Sequence, residues 1–188
     1  MAVKLLSEKV SYAQEDGRLQ IIILGKIERW KESLILGWVL AWIFCGGVVI
    51  NEHIKAEDRD LKMILFIFLI FWAYYLWRVV RVFLYRRGGN ELIQIQDDVM
   101  WLKKSFFTYG KSKPYNLRQI VDLKPIELKK TSLAYNYENA WWVLGGEKIG
   151  FTYNGRFVKF AMQIDDKVRD RLIHLINREI SKSLKSEI

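Results

Sequence analysis

The stretches SLILGWVLAWIFCGGVVI (residues 33–50) and LKMILFIFLIFWAYYLWRVVRVFLY (residues 61–85) decide how this chain folds. The first holds no charge. After Lys62 the second holds none from Met63 to Trp77, before it meets Arg78 and Arg81. A helix of about 20 apolar residues spans the roughly 30 Å hydrocarbon core of a bilayer. The pair therefore reads as a transmembrane helical hairpin, with a short polar connection over 51–60 on one side of the membrane. Everything else in the 188 residues must lie in water or at an interface.

The flanks give the hairpin a direction. Lys26, Arg29 and Lys31 precede the first run, and Arg78, Arg81, Arg86 and Arg87 close the second. The connection carries Glu52, Glu57, Asp58 and Asp60 against Lys55 and Arg59. Cytoplasmic flanks collect Lys and Arg, so both termini are expected in the cytoplasm and the acidic connection outside. The net charge of +9 agrees, because residues 63–188 hold 21 basic against 12 acidic groups. Arg78 and Arg81 lie three apart and share a helix face. The plain reading is snorkelling to the interface. The sharper one is a contact with a lipid phosphate or a partner's carboxylate.

Within the first run, Trp38, Trp42 and Gly46-Gly47 stand out, and within the second, Trp72. Small residues let a neighbouring helix approach closely. Gly46 is thus a candidate contact point, or alternatively a kink or the start of the exit. The aromatic residues are candidate lipid or partner contacts, and Trp30 between basic residues reads as an interfacial anchor. The lone cysteine, Cys45, cannot pair within the chain and is expected to pack. The first 30 residues are polar and the apolar run starts late, so no cleavable signal peptide is expected.

Residues 1–32 read as a leader with a β-hairpin, since Asp16-Gly17 separates two β-prone runs. The run Ile21-Ile22-Ile23-Leu24 is a strand or an interfacial segment. Gly88-Gly89-Asn90 is expected to be the exit turn, and residues 88–188 a cytoplasmic β-rich domain. Glu91-Leu92-Ile93-Gln94-Ile95-Gln96 alternates, Asp97-Asp98 turns, and Val99-Met100-Trp101-Leu102 opens the next strand. Residues 109–114 read as a loop, and Pro125 breaks the mixed stretch that follows. Trp141-Trp142-Val143-Leu144 reads as strand. Asn154-Gly155 is the best hairpin signal, with strands on both sides. Then the period changes: Asp165-Asp166 can cap a helix, and Val168, Leu172, Leu175, Ile176 and Ile180 recur at helical spacing.

The order of these elements, an antiparallel sheet and then one amphipathic helix, is that of a pleckstrin-homology-like (PH-like) domain. At the residue level the chain resembles uncharacterised bacterial membrane proteins with a two-helix hairpin and a PH-like domain. The resemblance rests on Ile27-Glu28-Arg29-Trp30, Phe71-Trp72-Ala73-Tyr74-Tyr75-Leu76-Trp77, Gly89-Asn90-Glu91-Leu92-Ile93, Tyr115-Asn116-Leu117-Arg118-Gln119-Ile120 and Gly155-Arg156-Phe157-Val158-Lys159-Phe160. It implies an α+β membrane protein of the bacterial inner membrane whose PH-like sandwich or partly open barrel is closed by the C-terminal helix. It carries over no catalytic residue.

Chemistry-bearing motifs are sparse. Asp97-Asp98 and Asp165-Asp166 sit where a turn and a cap belong, and neither glycine pair has phosphate-loop spacing. His53 and His174 lie far apart and show no ligand spacing. The expectation is no catalysis, no cofactor and no metal. Lys103, Lys104, Lys111, Lys113, Arg118, Lys124, Lys129 and Lys130 form a basic series that suits an anionic leaflet. Aromatic residues do not interleave with it, so nucleic acid is not the expected partner. The expected function is that of a non-catalytic accessory or scaffold subunit of a larger membrane complex. The competing class is a membrane-surface module for anionic lipid head groups. Expected partners are membrane lipids and other integral membrane subunits, with a homo-oligomer also compatible.

Overall fold

A computed structural model describes residues 3–15, 17–107, 109–127, 136–137 and 140–185. The chain divides into two compact units, Ile27–Arg87 on one hand and Met1–Lys26 with Gly88–Ile188 on the other.

The first unit is a pair of long helices, α1 (Arg29–Lys55) and α2 (Arg59–Gly88). At 1.5 Å per residue they are about 40 and 45 Å long. Both are long and apolar enough to cross a membrane. They outrun the apolar stretches, because polar residues carry the i→i−4 ladder onward at both ends. The connection shrinks to residues 56–58, where Asp58 caps α2 by accepting from the Asp60 N–H at 3.0 Å.

From Ser33 on, the least exposed positions of α1 are Ile35, Val39, Trp42, Gly46, Val49 and His53, and those along the body of α2 include Leu65, Leu69, Trp72 and Leu76. Both series alternate steps of four and three. That is the heptad pattern of helices packed along one seam. Gly46 is the close-approach point. A Cβ there would collide with the ring of Trp72. Gly47 has nothing within 4 Å. Helix α1 runs on through Gly46-Gly47 to Lys55, so the pair is not the start of an exit, and only its first member is required by packing.

The second unit is built from antiparallel sheets. Strands β1 (Val3–Leu5), β2 (Val10–Glu15), β3 (Arg18–Leu24), β4 (Gly89–Gln96), β5 (Val99–Phe106) and β6 (Ser112–Asn116) form one six-stranded sheet in chain order. Strands β7 (Ile120–Pro125), β8 (Glu147–Tyr153) and β9 (Arg156–Met162) form a second. Helix α3 (Asp166–Lys185) follows. Tight turns set the registers. Asp97 and Asp98 both take positive φ and close Gln96 against Val99. Asn154 and Gly155 do the same for Tyr153 and Arg156. Positive φ at both central residues is the hairpin turn that matches strand twist. Gly17, at φ +79, lies in the connection of β2 to β3; its neighbour Asp16 lies outside the described residues.

Strand β3 pairs with β4 from Leu19 opposite Ile95 to Leu24 opposite Asn90. Both long helices are thus inserted between two hydrogen-bonded neighbours. Residues expected to form a separate leader supply Val10, Leu19, Ile21 and Ile23 to the same core as Ile93, Phe151, Phe160, Leu172 and Ile176. Gln14 on β2 also donates to the buried Glu179 of α3 at 2.6 Å and accepts from Arg178 at 3.0 Å. Strand β3 settles the alternative for Ile21–Leu24 in favour of a strand, with Ile21 and Ile23 inside.

Other expectations change locally. Residues 88–90 form no exit turn: α2 ends at Gly88 and β4 begins at Gly89. The Gly88 carbonyl accepts from Phe107 N–H, and the ring of Phe107 occupies the space of a Gly88 side chain. The stretch read as loop over 109–114 contains the start of β6. This strand lies at the sheet edge, where Pro114 needs no ladder donor. Trp141 to Leu144 form turns and bends, with the Val143 N–H donating back to Ala140, and β8 starts only at Glu147. A short apolar run ahead of Gly146 at φ +74 satisfies strand propensity but not strand pairing. Helix α3 buries Val168, Leu172 and Ile176 as the periodicity requires. The Asp165 carbonyl accepts from Arg169 N–H at its start.

Candidate functional site

Directly opposed residues of an antiparallel pair share a face. Across β4, β5 and β6 the rows Ile93–Leu102–Lys113 and Ile95–Met100–Tyr115 belong to the inner face, because Ile93, Ile95 and Met100 are core residues. Glu91 pairs with Lys104 on the same face. A carboxylate therefore occupies a core position of β4, with its side chain 3% exposed. Glu91 Oε2 accepts from the backbone N–H of Ala161 on β9 at 2.7 Å, which fastens one sheet to the other. Ala161 itself lies in the left-handed region at φ +63, a conformation worth about 1–3 kcal/mol of local strain.

Around Glu91 opens a cleft of about 440 Å³. Lys103, Lys104, Lys111, Lys113 and Lys159 border it, with Tyr115, Val158 and Phe160 among its apolar walls. Its volume falls in the usual range of small-ligand sites. Lys104 Nζ lies 2.8 Å from Glu147 Oε1 and 3.6 Å from Glu91 Oε1. The second distance is an ion pair but exceeds a hydrogen bond. Burial pushes the Glu91 carboxyl up, and Lys104 and the backbone N–H groups of Ala161 and Met162 oppose this only in part. Burial lowers Lys104, but Glu91 and Glu147 outweigh it and hold the ammonium above its ordinary value. Burial also raises Glu147, and Lys104 overcomes it to leave this carboxyl below the usual range.

The structure divides the basic series. Lys104 and Lys113 share the inner face, and Lys111 borders the same cleft. Lys103 borders the cleft too, but its row is Leu92–Lys103–Ser112 on the opposite face of the sheet. Arg118 pairs with Asp98 at 3.6 Å, and Lys124 with Asp122. Lys129 and Lys130 lie outside the described residues.

In the helical unit, Trp42, Gly46 and Trp72 come together as an internal clasp. Trp42 Nε1 donates to the Trp72 carbonyl at 3.3 Å, and Trp72 Nε1 donates to the Trp42 carbonyl at 3.0 Å. Helix carbonyls keep a second lone pair, so each indole N–H is satisfied without water. Trp38 is exposed and meets Trp42 edge-on, centroids 6.3 Å apart. Arg78 lies 5.9 Å over the Tyr74 ring, and Arg81 is exposed. Arg87 lies 6.0 Å over Phe83 and 4.0 Å from Glu32. Arg86 is buried. The arginines thus form no single site within the unit.

Sequence reasoning missed Glu91, Glu147 and Lys159. The signal for Glu91 lies in the alternation of β4: the phase that buries Ile93 and Ile95 also contains Glu91. Glu147 and Lys159 carry no such mark, because only the folded second sheet brings Lys159 to the cleft and Glu147 to Lys104. Comparison with protein-family models, curated proteins and solved structures finds no match.

Proposed function

We propose that this chain is a non-catalytic accessory or scaffold protein of the bacterial inner membrane, with both termini cytoplasmic. Its hairpin sits beside the helices of a larger membrane complex, and its PH-like unit docks on that complex or on the membrane face. The observation that carries this reading is the unused apolar surface of the hairpin. One face of each helix meets the seam, while Phe44, Phe66, Phe71 and Trp77 are all more than half exposed. Such surface calls for lipid or partner helices. The two successive antiparallel meanders and a final helix are the support for the PH-like assignment. The cleft offers lysines and a carboxylate already tied to a backbone N–H, with no histidine, cysteine or serine among its bordering residues. Purification in mild detergent tests the proposal. Other membrane subunits are expected to accompany the chain, and a chain that runs alone or only with copies of itself overturns it.

The second reading, a module for anionic lipid head groups, is favoured by the convergence of Lys104, Lys111 and Lys113. Each basic residue near an anionic leaflet contributes about 1 kcal/mol. Flotation with vesicles of the full chain's β unit, built with β1 to β3 in place, separates the two. Binding that needs anionic lipid and disappears at high salt supports the second reading.

A further inference from the structure

The cleft around Glu91 holds two kinds of unused capacity. Lys111 and Lys113 are exposed and form no ion pair among the described residues. Lys104, by contrast, is occupied by two carboxylates. Glu91 Oε1 is the other feature. It is buried just behind the wall that Glu91 contributes to the cleft, and it has no hydrogen-bond donor among the described residues. A buried acceptor left without a donor costs about 1–3 kcal/mol, more when charged.

A ligand that suits this cleft must answer both. A bare anion neutralises the lysines but leaves Glu91 Oε1 without a hydrogen-bond donor. A bare cation satisfies Glu91 but meets five lysines at the rim. We propose that the cleft binds a phosphate ester carrying a hydrogen-bond donor beside the phosphate. The phosphate lies against Lys111 and Lys113, and the neighbouring hydroxyl or ammonium donates to Glu91 Oε1. Tyr115 and Val158 wall the apolar side of such a ligand. A soluble glycerol phosphate and a phospholipid head group share this chemistry. Glu91 follows the end of α2 by three residues, at most about 10 Å of chain, which keeps the lipid source within reach. Only that source rests on the membrane reading above.

The test uses the full chain in nanodiscs of phosphatidylcholine, with or without phosphatidylglycerol, and reads the acylation rate of each lysine by mass spectrometry. In phosphatidylcholine discs, sn-glycerol 3-phosphate is expected to protect Lys111 and Lys113 at about tenfold lower concentration than inorganic phosphate, the difference being one hydrogen bond to a carboxylate. Glycerol alone gives no protection, and Lys124 and Lys167 label as before. Protection by phosphatidylglycerol discs without added ester identifies the lipid as a source. The proposal is overturned if neither probe protects, if phosphate and its ester act at the same concentration, or if Lys124 and Lys167 slow in parallel. A chain that fails to enter the discs removes the membrane reading alone, and the soluble titration is then read in detergent.

Discussion

The two units of this chain treat apolar side chains in opposite ways. The β unit gathers Val10, Leu19, Ile21, Ile93, Phe151, Phe160, Leu172 and Ile176 into one core with almost no exposure. The helical unit turns most of its apolar side chains outward. Fully buried positions make up 17% of the membrane-length stretch of α1 and none of that of α2. What it hides is the backbone, which a helix satisfies internally, and the indole N–H groups of Trp42 and Trp72. Water favours the first arrangement and hydrocarbon the second. On the proposed membrane reading, one chain carries units suited to two solvents. The join between them falls inside a sheet and not at a linker.

The most severe way to break the comparison is to cut at the place composition suggests. A fragment of residues 88–188 lacks Val10, Leu19, Ile21 and Ile23. Full burial of such side chains contributes about 1.5–3 kcal/mol each, so their loss totals about 6–12 kcal/mol. That matches the whole stability of an ordinary domain, about 5–15 kcal/mol. The fragment is expected to show no cooperative unfolding by circular dichroism. Replacing residues 26–88 with an Asn-Gly turn is expected to yield a folded chain that needs no detergent, because Gly25 N–H already meets the Gly89 carbonyl at 2.9 Å. Cooperative melting of the 88–188 fragment, or a detergent requirement in the joined chain, contradicts the shared core.

Within the helical unit, Gly46→Ala is the next largest change. The new methyl collides with the Trp72 ring, and overpacking of this kind costs about 1–3 kcal/mol. Gly47→Ala, in open space on the same helix, gains up to about 1 kcal/mol of helix propensity. Hydrogen exchange of α1 and α2 in detergent is expected to quicken in the first variant and not in the second. The melting of the β unit is expected to stay the same in both. Equal behaviour of the two glycines removes the seam assignment.

Inside the β unit, the buried carboxylate gives a pH dependence. The folded Glu91 carboxyl titrates above its unfolded value, ordinarily about 4.3. Its contribution to stability is therefore fully present below that unfolded value and is lost as pH rises through the folded one. Glu147 is shifted the other way, so its contribution is present above about 4.3 and is lost as pH falls through its lower folded value. The windows fall on opposite sides of the ordinary carboxylate range. Glu91→Gln is expected to flatten the decline in melting temperature above about pH 4.3 and leave the acid limb in place. Exchanging a charged for a neutral acceptor at the Ala161 N–H costs about 1 kcal/mol in addition. An unchanged slope on the alkaline side of that range rules out Glu91 as its source.

Much of this architecture was legible because its determinants are local. The hairpin follows from two uncharged stretches, the turns from Asp97-Asp98 and Asn154-Gly155, and the buried face of α3 from the spacing of Val168, Leu172 and Ile176. What stayed hidden is non-local. Alternation in β3 and β4 shows that each has an inner face, but nothing in either strand names the other as its neighbour across a 64-residue interval. Trp141 to Leu144 misled because propensity does not specify a pairing partner. The cleft was half legible: four of its five lysines, Lys103, Lys104, Lys111 and Lys113, were visible as a series, but which of them converge depends on the pleat of β5 and the register of β6.

The smallest effect separates two ways of holding the hairpin together. Gly46 sets how closely the helices approach, and the paired indoles add hydrogen bonds at that level. Interhelical hydrogen bonds in membrane proteins are worth about 0.6 kcal/mol on average. Trp72→Phe removes the bond to the Trp42 carbonyl and keeps an aromatic ring near Gly46, so its effect is expected well below that of Gly46→Ala. Each acceptor is a backbone carbonyl that survives substitution of its own side chain. Trp42→Phe and Trp72→Phe are therefore expected to be additive within about 0.5 kcal/mol. A double variant much less destabilised than the sum means that the two indoles act as one packed unit and not as two separate donors. The heptad seam then carries the association and the hydrogen bonds merely avoid the cost of leaving a part-buried indole N–H unpaired.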